Sequence, residues 1–202
     1  MSSVTRIALL IGLLTVIIFS LYSLLTTAEV GDYAESINTE RAEKDIWLSN
    51  DLNSPFAVTN TPFQRLSYFE PDQDFRIKAK FIKSIADEDV TLITNTGENQ
   101  VYQIYGSAVF ELDGQSHILK LLSSEGRTQL FLPFIDETSG ETTYGAGRYL
   151  DLDFPINDEI IIDFNKAYNP YCAYTEAYSC PFPPKANILS IAIEAGEKTY
   201  PH

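Results

Sequence analysis

Two cysteines stand close together in the segment YNPYCAYTEAYSCPFPP, residues 168–184. Cys172 and Cys180 are the only cysteines of the chain. Their spacing fits a disulfide, a pair of buried thiols, or a metal or redox site. An oxidising compartment favours the disulfide, since two nearby thiols tend to be oxidised there. Two thiols fall short of the four ligands that zinc takes, so we predict no metal at this position.

A second segment with chemical potential is TYGAGRYLDLDFP, residues 143–155. Arg148 offers a planar guanidinium that can hold a carboxylate or a phosphate. Gly145 and Gly147 permit close approach of a ligand to the backbone. The segment matches neither the Walker pattern nor G-x-G-x-x-G, so it is a poor phosphate cradle. The alternative is that Arg148 pairs internally with one of the chain's 28 acidic residues.

Histidine and calcium chemistry have little support in this chain. It contains two histidines, His117 in a predicted strand and His202 at the C-terminus. The segment DLDFPINDE, residues 151–159, places Pro155 and Ile156 where an EF-hand loop needs an oxygen ligand and a glycine. We therefore predict no metal site and no cofactor.

The elements that position these segments are mostly strands. The stretch FRIKAKFI alternates apolar and basic residues, which is typical of a half-buried strand. Asp113-Gly114 separates two strand-like runs of similar length and predicts a tight hairpin turn inside a three-stranded meander over residues 107–134. Helix periodicity is absent between the strands, so parallel βαβ units are not expected. We predict a mainly β domain, an antiparallel barrel or sandwich, with a short N-terminal helix near residues 38–50.

The N-terminus contains an uncharged apolar run at residues 7–25. As a helix this run spans about 28 Å, close to the hydrocarbon thickness of a bilayer. It predicts one transmembrane helix, an uncleaved signal anchor, and a cleaved signal peptide is the alternative. Arg6 precedes the run and acidic residues follow it, which predicts a single-pass membrane protein with an extracytoplasmic domain, periplasmic or on the cell surface. The predicted segments are a cytoplasmic N-terminus at 1–6, the anchor at 7–25, a polar stalk at 26–38 and the β domain at 39–202.

The net charge of −14 limits the possible partners. An acidic surface repels the phosphate backbone of nucleic acids, so we predict no nucleic-acid binding. The partners left open are the membrane through residues 7–25, a small ligand, or a protein of the cell envelope.

Several longer motifs together resemble a known family. RLSYFEPDQDFRIKAKF, LFLPFIDETSGETTYGAGRYLDLD, IDFNKAYNPYCAYTEAYSCPFPPKAN and IAIEAGEK occur in this order. They are similar to the prokaryotic family of uncharacterised proteins named domain of unknown function 1684, over about residues 40–200. The family has no assigned activity, so the resemblance implies a shared fold and site but no reaction. Members that lack an anchor share the two cysteines, which weakens the argument for a disulfide.

The resemblance indicates where a functional site would lie. Polar residues and residues with special backbone properties dominate its motifs, in two segments of the chain. The hypothesis that we favour is a non-catalytic module that binds a ligand or an envelope partner. Its expected contact residues are Tyr144, Arg148, Tyr149, Tyr168, Asn169, Tyr171 and Asn187.

Two alternatives remain at this stage. The first is an enzyme with hydrolase or lyase-type acid/base chemistry, in which Arg148 holds an anionic substrate and Asp163 moves a proton, assisted by Asn165 and Asn169. The second is a structural protein of the cell envelope without a small-molecule site. The scarcity of histidine and metal ligands disfavours the enzyme. The clustering of Gly, Arg, Asn and Tyr in two loops disfavours the purely structural protein.

Overall fold

The computed structural model describes the backbone of residues 3–86 and 88–201, and the side chains of these residues except 3–11 and 23–30. The chain begins with helix α1, Ser3–Asn50, followed by the short helix α2, Pro55–Thr59. Ser54 caps α2 because its hydroxyl accepts the N–H of Ala57. Asn60 ends α2 in the left-handed conformation.

Helix α1 corrects the predictions made from the apolar run. In the part of the chain that the structure describes, no helix combines the length and the apolar character of a membrane span. The transmembrane anchor predicted at residues 7–25 and the single-pass topology are therefore wrong, and the extracytoplasmic localisation inferred from them is left without this support. The apolar run is not a separate helix: it continues without a break through the predicted stalk at 26–38 as one 48-residue helix that also contains the expected short helix. Met1 and Ser2, in the predicted segment 1–6, lie outside the described residues.

The β domain is confirmed as mainly antiparallel. Its strands form one 7-stranded sheet in the order β6-β5-β4-β3-β1-β7, with β2 paired to β3. The sheet curls into a half-barrel whose two ends, β6 and β7, are not paired with each other. The strands are β1 Arg76–Lys83, β2 Asp89–Ile93, β3 Asn99–Leu112, β4 Gln115–Ser123, β5 Leu130–Phe134, β6 Arg148–Leu152 and β7 Glu159–Asp163.

The predicted meander is present in β3, β4 and β5. Asp113 and Gly114 form the turn between β3 and β4, with φ values of 52° and 71°. Positive φ at both turn positions matches the twist of antiparallel strands, which explains why Asp-Gly is favoured there. The register shifts between Ile104 and Gly106, where a Cβ at Gly106 would lie 2.5 Å from the ring of Phe81. This bulge bends β3 and helps to curl the sheet.

The main core fills the concave face of the half-barrel. There, side chains from six strands pack against the C-terminal segment 189–195. This segment crosses the open face without joining the sheet. Ile193 and Ala195 in this segment are fully buried. The C-terminal segment therefore completes a core that the curled sheet alone would leave open.

Two smaller clusters attach the other segments. One holds the cysteine-containing loop against a second face of the sheet and includes Tyr102, Phe131, Tyr149 and Cys180. The other anchors the end of α1 through Leu48 and joins α2 to the C-terminus. The 168–187 loop lies beside the 143–149 loop, since Tyr149 and Tyr168 form an antiparallel bridge.

Candidate functional site

A groove of about 880 Å³ opens where the half-barrel fails to close. Its lining comes from the edge strands β6 and β7, from the segment between them, from the start of β1, and from residues 32–40 of α1, together with Gln129 and Lys166. Ile37, Leu150, Leu152 and Ile160 are its buried apolar residues. Phe154 and Ile156 also line it, with exposed fractions of 43% and 79%. The groove thus has an apolar interior and partly exposed apolar residues at its mouth.

Acidic side chains outnumber basic ones around the groove. Arg76, Lys78 and Lys166 supply three positive charges, against carboxylates of Asp32, Glu40, Asp151, Asp153, Glu159 and Asp163.

Every cation of the lining already has an acidic partner. Lys78 pairs with Glu159 at 2.7 Å, and Lys166 pairs with Glu40 at 2.8 Å. The guanidinium of Arg76, the third cation, lies 3.8 Å from the carboxylate of Asp163. The remaining acidic charge gives the groove a negative character.

Asp163 lies at the C-terminal end of β7 and is almost fully buried. Its carboxylate accepts the hydroxyl of Tyr33 from α1, at 2.9 Å and 3.1 Å to its two oxygens. It also accepts the backbone N–H and the side-chain amide of Asn165, each at 3.1 Å. Burial, and then the hydrogen bond to Asp163, raises the pKa of Tyr33 well above its usual range. Asp163 therefore fastens α1 to the edge of the sheet beside the groove.

Arg148 is fully buried at the start of β6 and does not line the groove. Its guanidinium pairs with Asp136 at 2.9 Å. It also donates to the carbonyl oxygens of Ile193 and Ala195 in the C-terminal segment. Burial lowers the pKa of Arg148, and the neighbouring Asp136 opposes this shift. These contacts match the internal pairing considered as the alternative for Arg148.

Gly147 explains how Arg148 reaches the core. Its φ of 92° is one that L-residues rarely adopt, and an added Cβ would lie 2.5 Å from the carbonyl oxygen of Phe134. The same Cβ would lie 2.9 Å from Pro183 in the cysteine-containing loop. The glycine therefore permits close approach to protein backbone, where the sequence suggested approach to a ligand.

Asn165, Asn169 and Asn187 all bond within the protein. Asn165 exchanges two hydrogen bonds with the backbone of Asp72. Asn187 is paired with the backbone of Lys120, from which it accepts the N–H at 2.7 Å and to which it donates at 2.9 Å. These amides imitate backbone pairing where no strand is available.

Asn169 belongs to a buried polar centre around Glu197. The fully buried carboxylate of Glu197 accepts from Asn169 at 2.8 Å and from Lys44 of α1 at 2.8 Å. The hydroxyl of Tyr174 donates to the same carboxylate. Burial, followed by the charge of Glu197, raises the pKa of Tyr174. This centre ties α1 to the C-terminal segment and to the cysteine-containing loop.

The tyrosines predicted as ligand contacts have mixed environments. Tyr149 is buried and donates to the carbonyl oxygen of Pro181 at 2.6 Å. Tyr168 donates at 2.6 Å to Asp151, a residue of the groove lining. Tyr171 is 36% exposed and packs edge-on against Tyr178. Their roles in ligand binding stay predictions.

The two cysteines are adjacent and free. The N–H of Cys172 donates to Sγ of Cys180 at 3.3 Å, and the hydroxyl of Tyr144 lies 3.9 Å from Sγ of Cys172. The hydrogen bond between the two side chains lowers the pKa of Cys180 to about 7 and raises that of Cys172. The side chains of Tyr144, Cys172 and Cys180 thus form a compact polar group. The predicted disulfide stays a prediction, and its supporting argument from an extracytoplasmic compartment no longer applies.

The structure therefore separates the residues that the sequence grouped together. Asp163 and Asn165 lie together beside the groove, Tyr144 lies at the cysteines, and Arg148 lies inside the core. Sequence reasoning missed Tyr33, Asp136 and Glu197, which hold the α1 and C-terminal contacts together.

The comparisons with known proteins place the chain in a family. The profile of the family described as a protein of unknown function, DUF1684, matches residues 61–198. Among solved structures, the chain is similar to an uncharacterized protein of Haloarcula marismortui determined by NMR in solution. The two share 36% identity and a TM-score of 0.65, over 85% of this chain and 97% of that one. A comparison with curated proteins gives no match. The chain belongs to the DUF1684 family.

Proposed function

We propose that this protein is a non-catalytic binding module whose groove between β6 and β7 takes a small amphipathic amine, an ammonium group on an apolar body. The observation that carries the proposal is the 880 Å³ groove itself, which combines buried apolar residues with an excess of carboxylates. Concave sites with an apolar lining and a few fixed polar groups are typical of small-ligand sites.

Asp153 is the expected anchor for the ammonium group. It is exposed at the end of β6, and its Oδ1 accepts the side chain of Gln129 at 3.0 Å. Among the described residues it has no cationic partner within ion-pair distance. A ligand cation would therefore find this carboxylate available. The groove's own cations are already paired with carboxylates, so they are poorly placed to hold an anionic ligand.

The apolar part of the ligand would lie against the floor of the groove. Leu150, Leu152 and Ile160 line it, and Ile161 is 39% exposed beside them. Each methylene removed from water on this surface contributes about 0.8 kcal/mol before the costs of association are subtracted. An alkyl chain should therefore raise affinity in steps of a few-fold per carbon.

The binding module is favoured over the enzyme by the contacts of the candidate catalytic residues. Arg148 uses its guanidinium on Asp136 and on backbone carbonyls, away from the groove. Asp163 accepts hydrogen bonds from three donors, the hydroxyl of Tyr33 and the backbone and side-chain N–H groups of Asn165. A general base must reach the proton that it removes, and this geometry directs the lone pairs of Asp163 into the protein.

The test is isothermal titration calorimetry of the full chain with three probes of equal length: octylammonium, octanol and octanoate. We expect octylammonium to bind most tightly, octanol more weakly, and octanoate not at all. Raising the salt concentration should weaken octylammonium binding and leave octanol unchanged, since salt screens exposed charges. Equal binding of octylammonium and octanoate would reject the electrostatic part, and no binding of any probe would reject the proposed site.

A charge-matched pair of variants locates the anchor. Asp153→Asn keeps the shape of the side chain and removes the charge, so octylammonium should bind about two- to fivefold more weakly, as for an exposed ion pair. Glu141→Gln removes one charge from an exposed residue outside the groove lining and should leave binding unchanged. Equal effects of the two variants would show a response to net charge alone.

A further inference from the structure

The cysteine-containing loop holds two thiols in a geometry that the binding proposal does not use. Cys172 lies in the short 3-10 turn Tyr171–Ala173, and Cys180 precedes the bridge between Thr94 and Pro181. They are the chain's only cysteines. From this pair we propose that the protein carries a reversible dithiol–disulfide site that reacts with hydrogen peroxide, with Cys180 attacking and Cys172 resolving.

The backbone of Cys180 is held firmly. Its N–H donates to Oδ1 of Asn95 at 2.7 Å, and its carbonyl oxygen accepts the N–H of Asn95 at 3.1 Å. Asn95 also donates through its side chain to the carbonyl oxygen of Tyr178 at 3.1 Å. This clamp fixes Cys180 to the turn between β2 and β3. The attacking sulfur is thus held in place before any covalent bond forms.

Cys172 is positioned to protect and then to resolve Cys180. Its N–H points at Sγ of Cys180, 3.3 Å away, and a backbone N–H donor stabilises a thiolate at that atom. Because Sγ of Cys180 lies against the backbone N–H of Cys172, the two sulfurs are held in the same part of the loop.

The side chains of the two cysteines differ in their exposure to solvent. Cys180 is 9% exposed, whereas Cys172 is only partly buried. Because so little of the Cys180 side chain is exposed, a small oxidant such as hydrogen peroxide should reach it more readily than a bulky disulfide.

The chemistry proceeds in two balanced steps. The thiolate of Cys180 attacks one oxygen of hydrogen peroxide, the O–O bond breaks, and the departing hydroxide takes up a proton to become water. Cys180 is then a sulfenic acid. The sulfur of Cys172 attacks the sulfur of Cys180, the S–O bond breaks, and the hydroxyl leaves as water with the proton of the Cys172 thiol. Two thiols lose two electrons, and one peroxide becomes two molecules of water.

The experiment uses the reduced full chain and one equivalent of hydrogen peroxide. We expect intact-mass spectrometry to show the loss of two hydrogens, peptide mapping to join Cys172 to Cys180, and dithiothreitol to restore both thiols. The oxidised form should also melt at a higher temperature than the reduced form, since the bridge closes a loop. Two thiols that stay free, or a sulfur that gains oxygen without proceeding to the bridge, would overturn the proposal.

Two serine variants assign the roles. Cys172→Ser should accumulate a sulfenic acid at Cys180, which dimedone captures. Cys180→Ser should lower dimedone capture at the remaining cysteine by about tenfold or more, because the stabilised thiolate is lost. Equal capture in the two variants would overturn the assignment. If either variant fails to fold, the intact-mass experiment on the unmodified chain still decides whether the bridge forms.

Discussion

The hydroxyl of Tyr33 on α1 donates to both carboxylate oxygens of Asp163 at the end of β7, at 2.9 Å and 3.1 Å. The two residues are separated by 130 positions in the sequence. Tyr33 also lines the groove. This single contact therefore links the fold to the proposed site, because it holds the helix beside the open side of the half-barrel.

Removing this hydroxyl should loosen α1 without disturbing the sheet. We expect Tyr33→Phe to lower the free energy of unfolding by about 1–3 kcal/mol, the range for a hydrogen bond to a charged group. Octylammonium binding should weaken as well, since α1 forms one side of the groove. Urea unfolding followed by circular dichroism measures the first effect, and calorimetry measures the second. An unchanged urea midpoint together with unchanged binding would show that α1 does not depend on this contact.

Alkaline pH should destabilise the protein through its buried tyrosines. Burial raises the pKa of Tyr33, Tyr168 and Tyr174 above the ordinary value of 10.0. A group whose pKa is raised on folding stabilises the native state below its unfolded pKa, and this contribution is lost as pH rises toward the folded pKa. Their contribution to unfolding free energy should therefore be constant up to about pH 9 and decline above pH 10.

The measurement is a series of urea midpoints from neutral to alkaline pH, with tyrosinate absorbance recorded in parallel. Tyrosinate should appear together with unfolding for the buried rings. Ionisation of these tyrosines near their ordinary pKa in a still-folded protein would contradict the account of their burial.

The buried ion pair of Arg148 and Asp136 should be costly to break. Both side chains are at most 1% exposed. Replacing Arg148 by leucine leaves an unpaired carboxylate and frees the carbonyl oxygens of the C-terminal segment, so we expect a loss of about 3–5 kcal/mol.

The surface pair of Arg65 and Asp45 supplies the matched control. Arg65 is 85% exposed. Its replacement by leucine should change stability by about 1 kcal/mol or less. Chemical unfolding of the two variants compares them directly. A loss at position 148 no larger than that at position 65 would mean that the guanidinium does not hold the C-terminal segment in place.

Cys180 should be the first cysteine to react with iodoacetamide, and the pH dependence of its alkylation rate should have a midpoint near neutral pH. The pKa of Cys180 is lowered to about 7, chiefly by the hydrogen bond from Cys172. The titratable groups facing the pair are Tyr144, Tyr102 and Tyr149, whose pKa values are all raised, so they stay neutral in this range. The alkylation rate should rise between pH 6 and pH 8 and then level off. A rate that climbs steadily to pH 9 would indicate an ordinary thiol.

The same shift has a consequence for stability. Because the pKa of Cys180 is lowered on folding from 9.0, its thiolate stabilises the native state above that value. The contribution declines as pH falls from 9 and is lost as pH falls through about 7. Cys180→Ser should remove this dependence and leave the tyrosine dependence above pH 10 intact.

The strands were the most predictable part of the molecule. Alternation in FRIKAKFI and the Asp113-Gly114 turn are local features, and local hydrogen bonding and side-chain burial determine them. These features depend on neighbours in the sequence.

The site was less predictable because it depends on contacts distant in the sequence. In the sequence, Arg148 has the composition and setting of a ligand contact. In the structure its guanidinium bonds to Asp136 and to carbonyl oxygens of the C-terminal segment, so it is an internal residue. The apolar run at residues 7–25 predicts a separate span, whereas it belongs to one long helix whose other end packs through Leu48 against α2 and the C-terminus. The groove arises from the failure of β6 and β7 to pair, which no local pattern encodes.

The most direct test of the central claim is a nitrogen–proton NMR titration of the full chain with octylammonium. We expect progressive chemical-shift changes of the backbone amides in β6, β7 and residues 153–158. The changes should be small in β2 and at the hairpin turn of residues 113–114. The same titration with octanoate should leave all these amides in place. Shifts that avoid β6 and β7, or that appear equally with both probes, would contradict the claim that the open side of the half-barrel is a binding site for an amphipathic amine.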